Sequence, residues 1–196
     1  MDQEPRMSEH RRSVPPVTDT VRAQARENPG AWVYVIDPSF NVDGEVPPFG
    51  IVGAWKVDDR GEITGDFRHN PNYRPSPLAL DIPPPTDSLD EAVHRAATGY
   101  GTEDDLVDTL LDHDLLLIQG NEGGIFVAHD DRGRFVQVFS SDEHLPERWS
   151  AWPRMRGRDL AALVTPDCDL EVNPESPARV RIPGKDLAAA LQQSPP

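Results

Sequence analysis

The sequence predicts an α+β protein, with a small N-terminal β-hairpin and helix module packed on a mixed-sheet α+β domain. Three observations predict it. Runs of β-branched and aromatic residues lie at 31–36 and 49–57, two helix patterns with start signals follow at 89–111, and short strand patterns return from residue 115. The expected organisation is a mostly disordered tail over 1–29, an N-terminal α+β module over 30–101 and a second domain over 102–193.

The tail is expected because its charges cancel, its apolar residues are few and Pro15-Pro16 interrupts it. Within it, Thr18 to Arg26 predicts a short helix that stops at Asn28-Pro29-Gly30. Ala31 to Ile36 predicts a strand closed by Asp37-Pro38. Phe49 to Val57 and Glu62 to Phe67 predict a hairpin around Asp58-Asp59-Arg60-Gly61. From Asn70 to Pro85 the prolines predict a stiff, extended stretch that wraps the surface.

Ser88-Leu89-Asp90-Glu91 has the form of a capping box. Leu89, Ala92, Val93, Ala96 and Tyr100 follow at helical spacing, so a helix is expected to about Thr98, stopped by Gly99 and Gly101. Thr102 can cap a second helix whose apolar face includes Leu106, Leu110 and Leu111. The runs 115–118, 125–129 and 135–139 predict a β-meander. Beyond them, a short helical segment is expected near 142–149, a helix over 158–164, strands at 169–172 and 179–182 about Asn173-Pro174, and a last helix over 185–192.

The chain carries 34 Asp and Glu against 19 Lys and Arg, a formal charge of −15. Such a charge repels phosphate backbones and anionic bilayers, so neither nucleic acid nor a membrane surface is an expected partner. No apolar run approaches the ~18 residues of a spanning helix, so membrane insertion is not expected. The opening residues lack the apolar stretch of a secretory leader. A single cysteine, Cys168, cannot form an internal disulfide and fits a reducing, cytoplasmic setting.

Chemistry-bearing motifs are sparse. Cys168 stands between Asp167 and Asp169, which oppose a thiolate, and reads as a small apolar residue entering a strand rather than a nucleophile. There is no Gly-x-Ser-x-Gly elbow, and Ser140-Ser141 reads as a helix start. The six histidines are scattered singly, without His-Glu-x-x-His or Cys-x-x-Cys, so no metal site and no cofactor are expected; His113, between two aspartates, reads as a solvated loop or helix end. Glu103-Asp104-Asp105 lacks calcium-loop spacing and suits the positive end of a helix.

The charge map says more. Residues 81–114 hold ten acids against Arg95 alone, whereas Arg148, Arg154, Arg156 and Arg158 interleave with Trp149, Trp152 and Met155. Arg, Trp and Met are enriched in protein interfaces. The candidate interaction surface is therefore Arg148, Trp149, Trp152, Arg154, Met155 and Arg156, together with Tyr73 and Arg74 of the stiff proline stretch. The competing reading has these arginines solvated or paired with acidic helices of the same molecule.

Phe135-Val136-Gln137-Val138-Phe139-Ser140-Ser141, the helix 158–163, Leu170-Glu171-Val172-Asn173-Pro174 and Val180-Arg181-Ile182-Pro183 resemble the SseB N-terminal domain, with Gln137 where a proline is usual. Upstream, Trp32 to Pro38, Val46-Pro47-Pro48, Val52 to Trp55, Asn72 to Pro77 and Ala96 to Gly101 are similar to the actinomycete proteins called type VII secretion system-associated. The resemblance implies a cytoplasmic α+β protein linked to ESX-type export, with no catalytic residues to carry over. The function expected is thus a non-enzymatic accessory or interaction protein, whose partners would be type VII secretion components or substrates. The alternatives are a small acidic hydrolase and an antitoxin-like protein that neutralises a basic effector.

Overall fold

A computed structural model of the chain describes residues 14–41, 44–120, 124–146 and 152–193. The first thirteen residues of the expected tail, together with Arg148 and Trp149, lie outside the described residues. The class is α+β, with helices and two separate sheets. The chain divides into two compact units, residues 1–83 and 84–196.

In the first unit, helix α1 (Asp19–Glu27) begins where Thr18 Oγ1 accepts the Val21 N–H at 3.3 Å. Strands β1 (Trp32–Ile36), β2 (Ile51–Val57) and β3 (Ile63–His69) form an antiparallel sheet in that order. Val21 and Ala25, one helical turn apart, are buried with Val33, Trp55 and Val57 on one face of this sheet. Residues 19–27 therefore belong to the folded unit and not to a tail.

The proline stretch does more than wrap the surface. Asp37 is fully buried; its carboxylate accepts Ser39 N–H at 3.0 Å, Ser76 N–H at 3.0 Å and the Tyr73 hydroxyl at 2.8 Å. This clamp draws Tyr73 and Ser76 into the interior.

The second unit starts before helix α2 (Ser88–Thr98), which packs on helix α3 (Glu103–Leu111) and touches the strand Val180–Ile182. The expected N-terminal module over 30–101 includes α2; in the structure this helix, with Leu89 and Val93 buried, belongs to the second unit. Its cap is Asp87, one residue before the expected Ser88. The Asp87 carboxylate accepts Leu89 N–H at 2.8 Å and Asp90 N–H at 2.9 Å. Gly99 ends the helix in the left-handed region at φ 75°, and Thr102 caps α3 as expected.

Strands β4 (Asp114–Leu117), β5 (Ala128–Asp130), β6 (Gly133–Phe139), β7 (Arg154–Arg156), β8 (Cys168–Val172) and β9 (Val180–Ile182) form the mixed sheet, with path β7-β4-β6-β8-β9. The expected meander is not formed. β4 and β5 do not pair: an isolated bridge between Gln119 and Ile125 lies outside both strands, and each strand pairs instead with a different end of β6. β6 and β8 are parallel, joined through β7 and helix α4 (Gly157–Leu163); helix α5 (Gly184–Gln193) closes the order. Cys168 is buried at the start of β8, and burial raises its thiol pKa, against nucleophilic use.

Candidate functional site

Two parallel strands that end side by side set their following residues together. Phe139 and Val172 close β6 and β8, and Ser140 and Asn173 come next. Asn173 adopts φ 49°, a left-handed conformation that asparagine tolerates better than most residues, and Pro174 follows it. This conformation turns the chain at the sheet edge while the side chain stays inside, where Asn173 is fully buried.

The Asn173 amide joins three segments. Its Oδ1 accepts Ser140 N–H at 3.0 Å, and its Nδ2 donates to Ser140 Oγ and to Asp90 Oδ1, each at 3.1 Å. Asp90 is likewise buried. Its Oδ1 also faces His94 Nε2 at 3.4 Å, one helical turn on, while its Oδ2 accepts Thr86 N–H at 3.0 Å and faces His144 Nε2 at 3.2 Å. A buried carboxylate costs several kcal/mol unless its oxygens are filled, and here both are.

Burial alone would raise the Asp90 carboxyl pKa. Hydrogen bonds from His144, His94 and the Thr86 amide outweigh it and hold the carboxyl well below the usual carboxylate range. The Asp90 hydrogen bond in turn raises His144 against its partial desolvation, with help from the Asp90, Asp87 and Glu143 charges. At the rim, Thr86 Oγ1 lies 3.0 Å from Ser141 Oγ and 3.3 Å from His144 Nε2. His113 Nε2 donates to the Ser140 carbonyl at 2.9 Å, so this residue is half-buried and bonded rather than solvated.

A serine-histidine-aspartate relay holds the carboxylate on one ring nitrogen and the hydroxyl on the other. His144 presents the same Nε2 to both Asp90 and Thr86, and Ser140 Oγ is engaged by Asn173. Among the described residues no group of three or more His, Cys, Asp or Glu side chains is placed to hold a metal ion. What the arrangement does chemically is pin the start of α2 and the ends of β6 and β8 to one another. Sequence reading missed this centre: of the partners of Asp90 only Thr86 and His94, each four residues away, are local.

The candidate interaction residues fall in different places. Arg154, Met155 and Arg156 lie together on β7, an edge strand where a loop was expected, because β4 offers them an edge at Asp114 to Leu116. Arg154 bonds Asp142 at 3.1 Å, and Arg156 lies 3.6 Å from Asp114 and 3.8 Å from Asp112. The pairing of these arginines with acids of the same molecule is therefore present, though exposed pairs contribute little stability. Trp152 is half-buried against Phe139, Leu116 and Ile118. Tyr73, in the first unit, is buried in the Asp37 clamp, whereas Arg74 beside it is exposed and lies over the Phe49 ring.

A mixed sheet with one parallel pair, helices packed on it and a turn at Asn173-Pro174 define a particular class of small α+β domain. A family profile described as SseB protein N-terminal domain matches residues 89–189, just over half of the chain. The chain belongs to the SseB family. No curated protein and no solved structure matches it. No helix among the described residues is long and apolar enough to cross a membrane.

Proposed function

We propose that the chain is a non-enzymatic cytoplasmic accessory protein that binds components or substrates of type VII (ESX-type) secretion. The observation that carries the non-enzymatic reading is the polar centre, whose histidine, carboxylate and serine groups are engaged with one another. The link to secretion rests on the resemblance of the segments Trp32–Pro38, Val52–Trp55, Asn72–Pro77 and Ala96–Gly101 to the type VII secretion system-associated proteins. Arg154, Met155 and Arg156 supply a partner surface on the sheet edge, since their exposed ion pairs exchange for intermolecular ones at little cost.

Affinity capture of the full chain from its native host, quantified against an unrelated protein of equal charge, tests the reading. Enrichment of the export ATPase or of small helical secretion substrates, reduced by Arg154→Glu with Arg156→Glu, is the expected result. Equal recovery from chain and control overturns the assignment to secretion; undiminished recovery with the double variant overturns the surface.

A further inference from the structure

We propose that the open edge of the first unit's sheet, at Trp32 and Tyr34, takes up an extended acidic segment of a partner protein as an added strand. The inference deepens the partner-binding reading above and rests on it.

β1 is an edge strand. Its register sets Trp32 opposite Lys56 and Val33 opposite Trp55, and Val57 N–H donates to Ala31 O at 3.0 Å. Residues 31, 33 and 35 therefore direct their main-chain groups to β2. By alternation the N–H and C=O of Trp32 and Tyr34 point out along the open edge. Such an edge is a template for a further strand unless it is guarded, and Trp32–Ile36 contains no charge and no proline to guard it.

The side chains beside this edge are exposed where they would be expected to hide. Trp32 is 41% and Tyr34 60% exposed, on the sheet face opposite the core residues Val33 and Trp55. The same face carries Lys56 next to Trp32 and Arg68 next to Ala54, with Asp66 also on it. Among the described residues neither Lys56 nor Arg68 has an ion pair, in a chain with 34 acidic residues. Lys56 beside Trp32, and Arg68 one strand further in beyond Ala54, set positive charge inboard of the two aromatics and select a ligand that carries both carboxylates and apolar side chains on this face.

A second copy of the chain fits poorly. Four aromatics, two from each copy, bury at most ~600–1,000 Å² in all, short of the ~1,200 Å² of a stable dimer, and two copies of charge −15 repel. A single added strand needs less area, because main-chain hydrogen bonds supply the affinity and alternate side chains the specificity.

Selection from a displayed library of random linear peptides against the full chain tests this without the host. Selected peptides should be enriched in acidic and apolar residues two positions apart, on one face of the added strand. Their binding should protect the Trp32 and Tyr34 amides from hydrogen exchange and weaken about tenfold in Lys56→Glu with Arg68→Glu, a reversal of exposed charges. Protection of the rest of the sheet, unchanged in the variant, verifies its fold. Binders lacking acids, binders indifferent to the double variant, or no binders at all overturn the proposal. So does self-association that the variant abolishes, which would put a second copy on the edge. Peptide binding at β1 without capture of secretion components leaves this surface standing and removes the secretion role, whereas capture that survives Lys56→Glu with Arg68→Glu does the reverse.

Discussion

Asn173 donates to Asp90 across 83 residues of sequence, and both side chains are buried. That single 3.1 Å bond links the end of a parallel strand to the first turn of helix α2. Asn173→Ala removes it and leaves Ser140 N–H without its acceptor. The expected loss is about 2–4 kcal/mol, from buried groups stripped of partners and a left-handed backbone without asparagine. Urea denaturation reads the loss; a midpoint unchanged from wild type would show the centre to be dispensable.

The same centre sets a pH profile. His144 has its folded pKa raised above the ordinary 6.5, so its contribution is complete below that value and fades as pH rises through the folded pKa. Asp90 has its folded pKa lowered beneath 3.8, so its contribution is present above that value and fades as the solution is acidified. These two groups together favour maximum stability between about pH 4 and 6.5. Denaturant midpoints across pH 4–9 should fall on the alkaline side in wild type and flatten there in His144→Gln. A wild-type midpoint that rises above pH 7 would contradict the assignment.

What the sequence disclosed was local. Thr18, Thr102 and Gly99 announce helix ends by chemistry confined to one turn, and the alternation in Ala31–Ile36 announces a strand whatever it pairs with. The cap of α2 was misplaced by one residue because Asp87 and Ser88 are both capping residues, and tertiary placement of the helix decides between them. β7 has three residues and no strand signal of its own; it exists because β4 offers it an edge. The polar centre needs β6 and β8 to run parallel, a non-local pairing that leaves no periodic trace at Ser140, His144 or Asn173. The charge map did anticipate the meeting of Arg156 with Asp112 and Asp114, since opposite charges report a preference independent of register.

Tyr73 serves the scaffold of the first unit, which Tyr73→Phe isolates. The ring stays and the 2.8 Å bond to buried Asp37 goes, leaving that carboxylate with the Ser39 and Ser76 amides. Hydrogen bonds to charged groups contribute more than neutral ones, so the expected cost is about 2 kcal/mol. Amide exchange should quicken across β1–β3 while the second unit keeps its protection; acceleration confined to the second unit would refute the clamp.

Gly157 separates packing from conformation. It opens α4 directly against the end of α3, its N–H donating to His113 O at 2.8 Å, and a Cβ there would run into the Leu110 carbonyl. Leu110 is itself fully buried, so the backbone it belongs to has nowhere to retreat. Gly157→Ala should therefore destabilise the second unit by about 1–3 kcal/mol, the range for forced overpacking, despite the better helix propensity of alanine. Gly124 provides the control. A Cβ at 124 meets nothing within 4 Å, so Gly124→Ala should leave the urea midpoint unchanged or slightly raised. Equal midpoints for the two variants would mean that α3 and α4 do not approach as closely as the His113 bond requires.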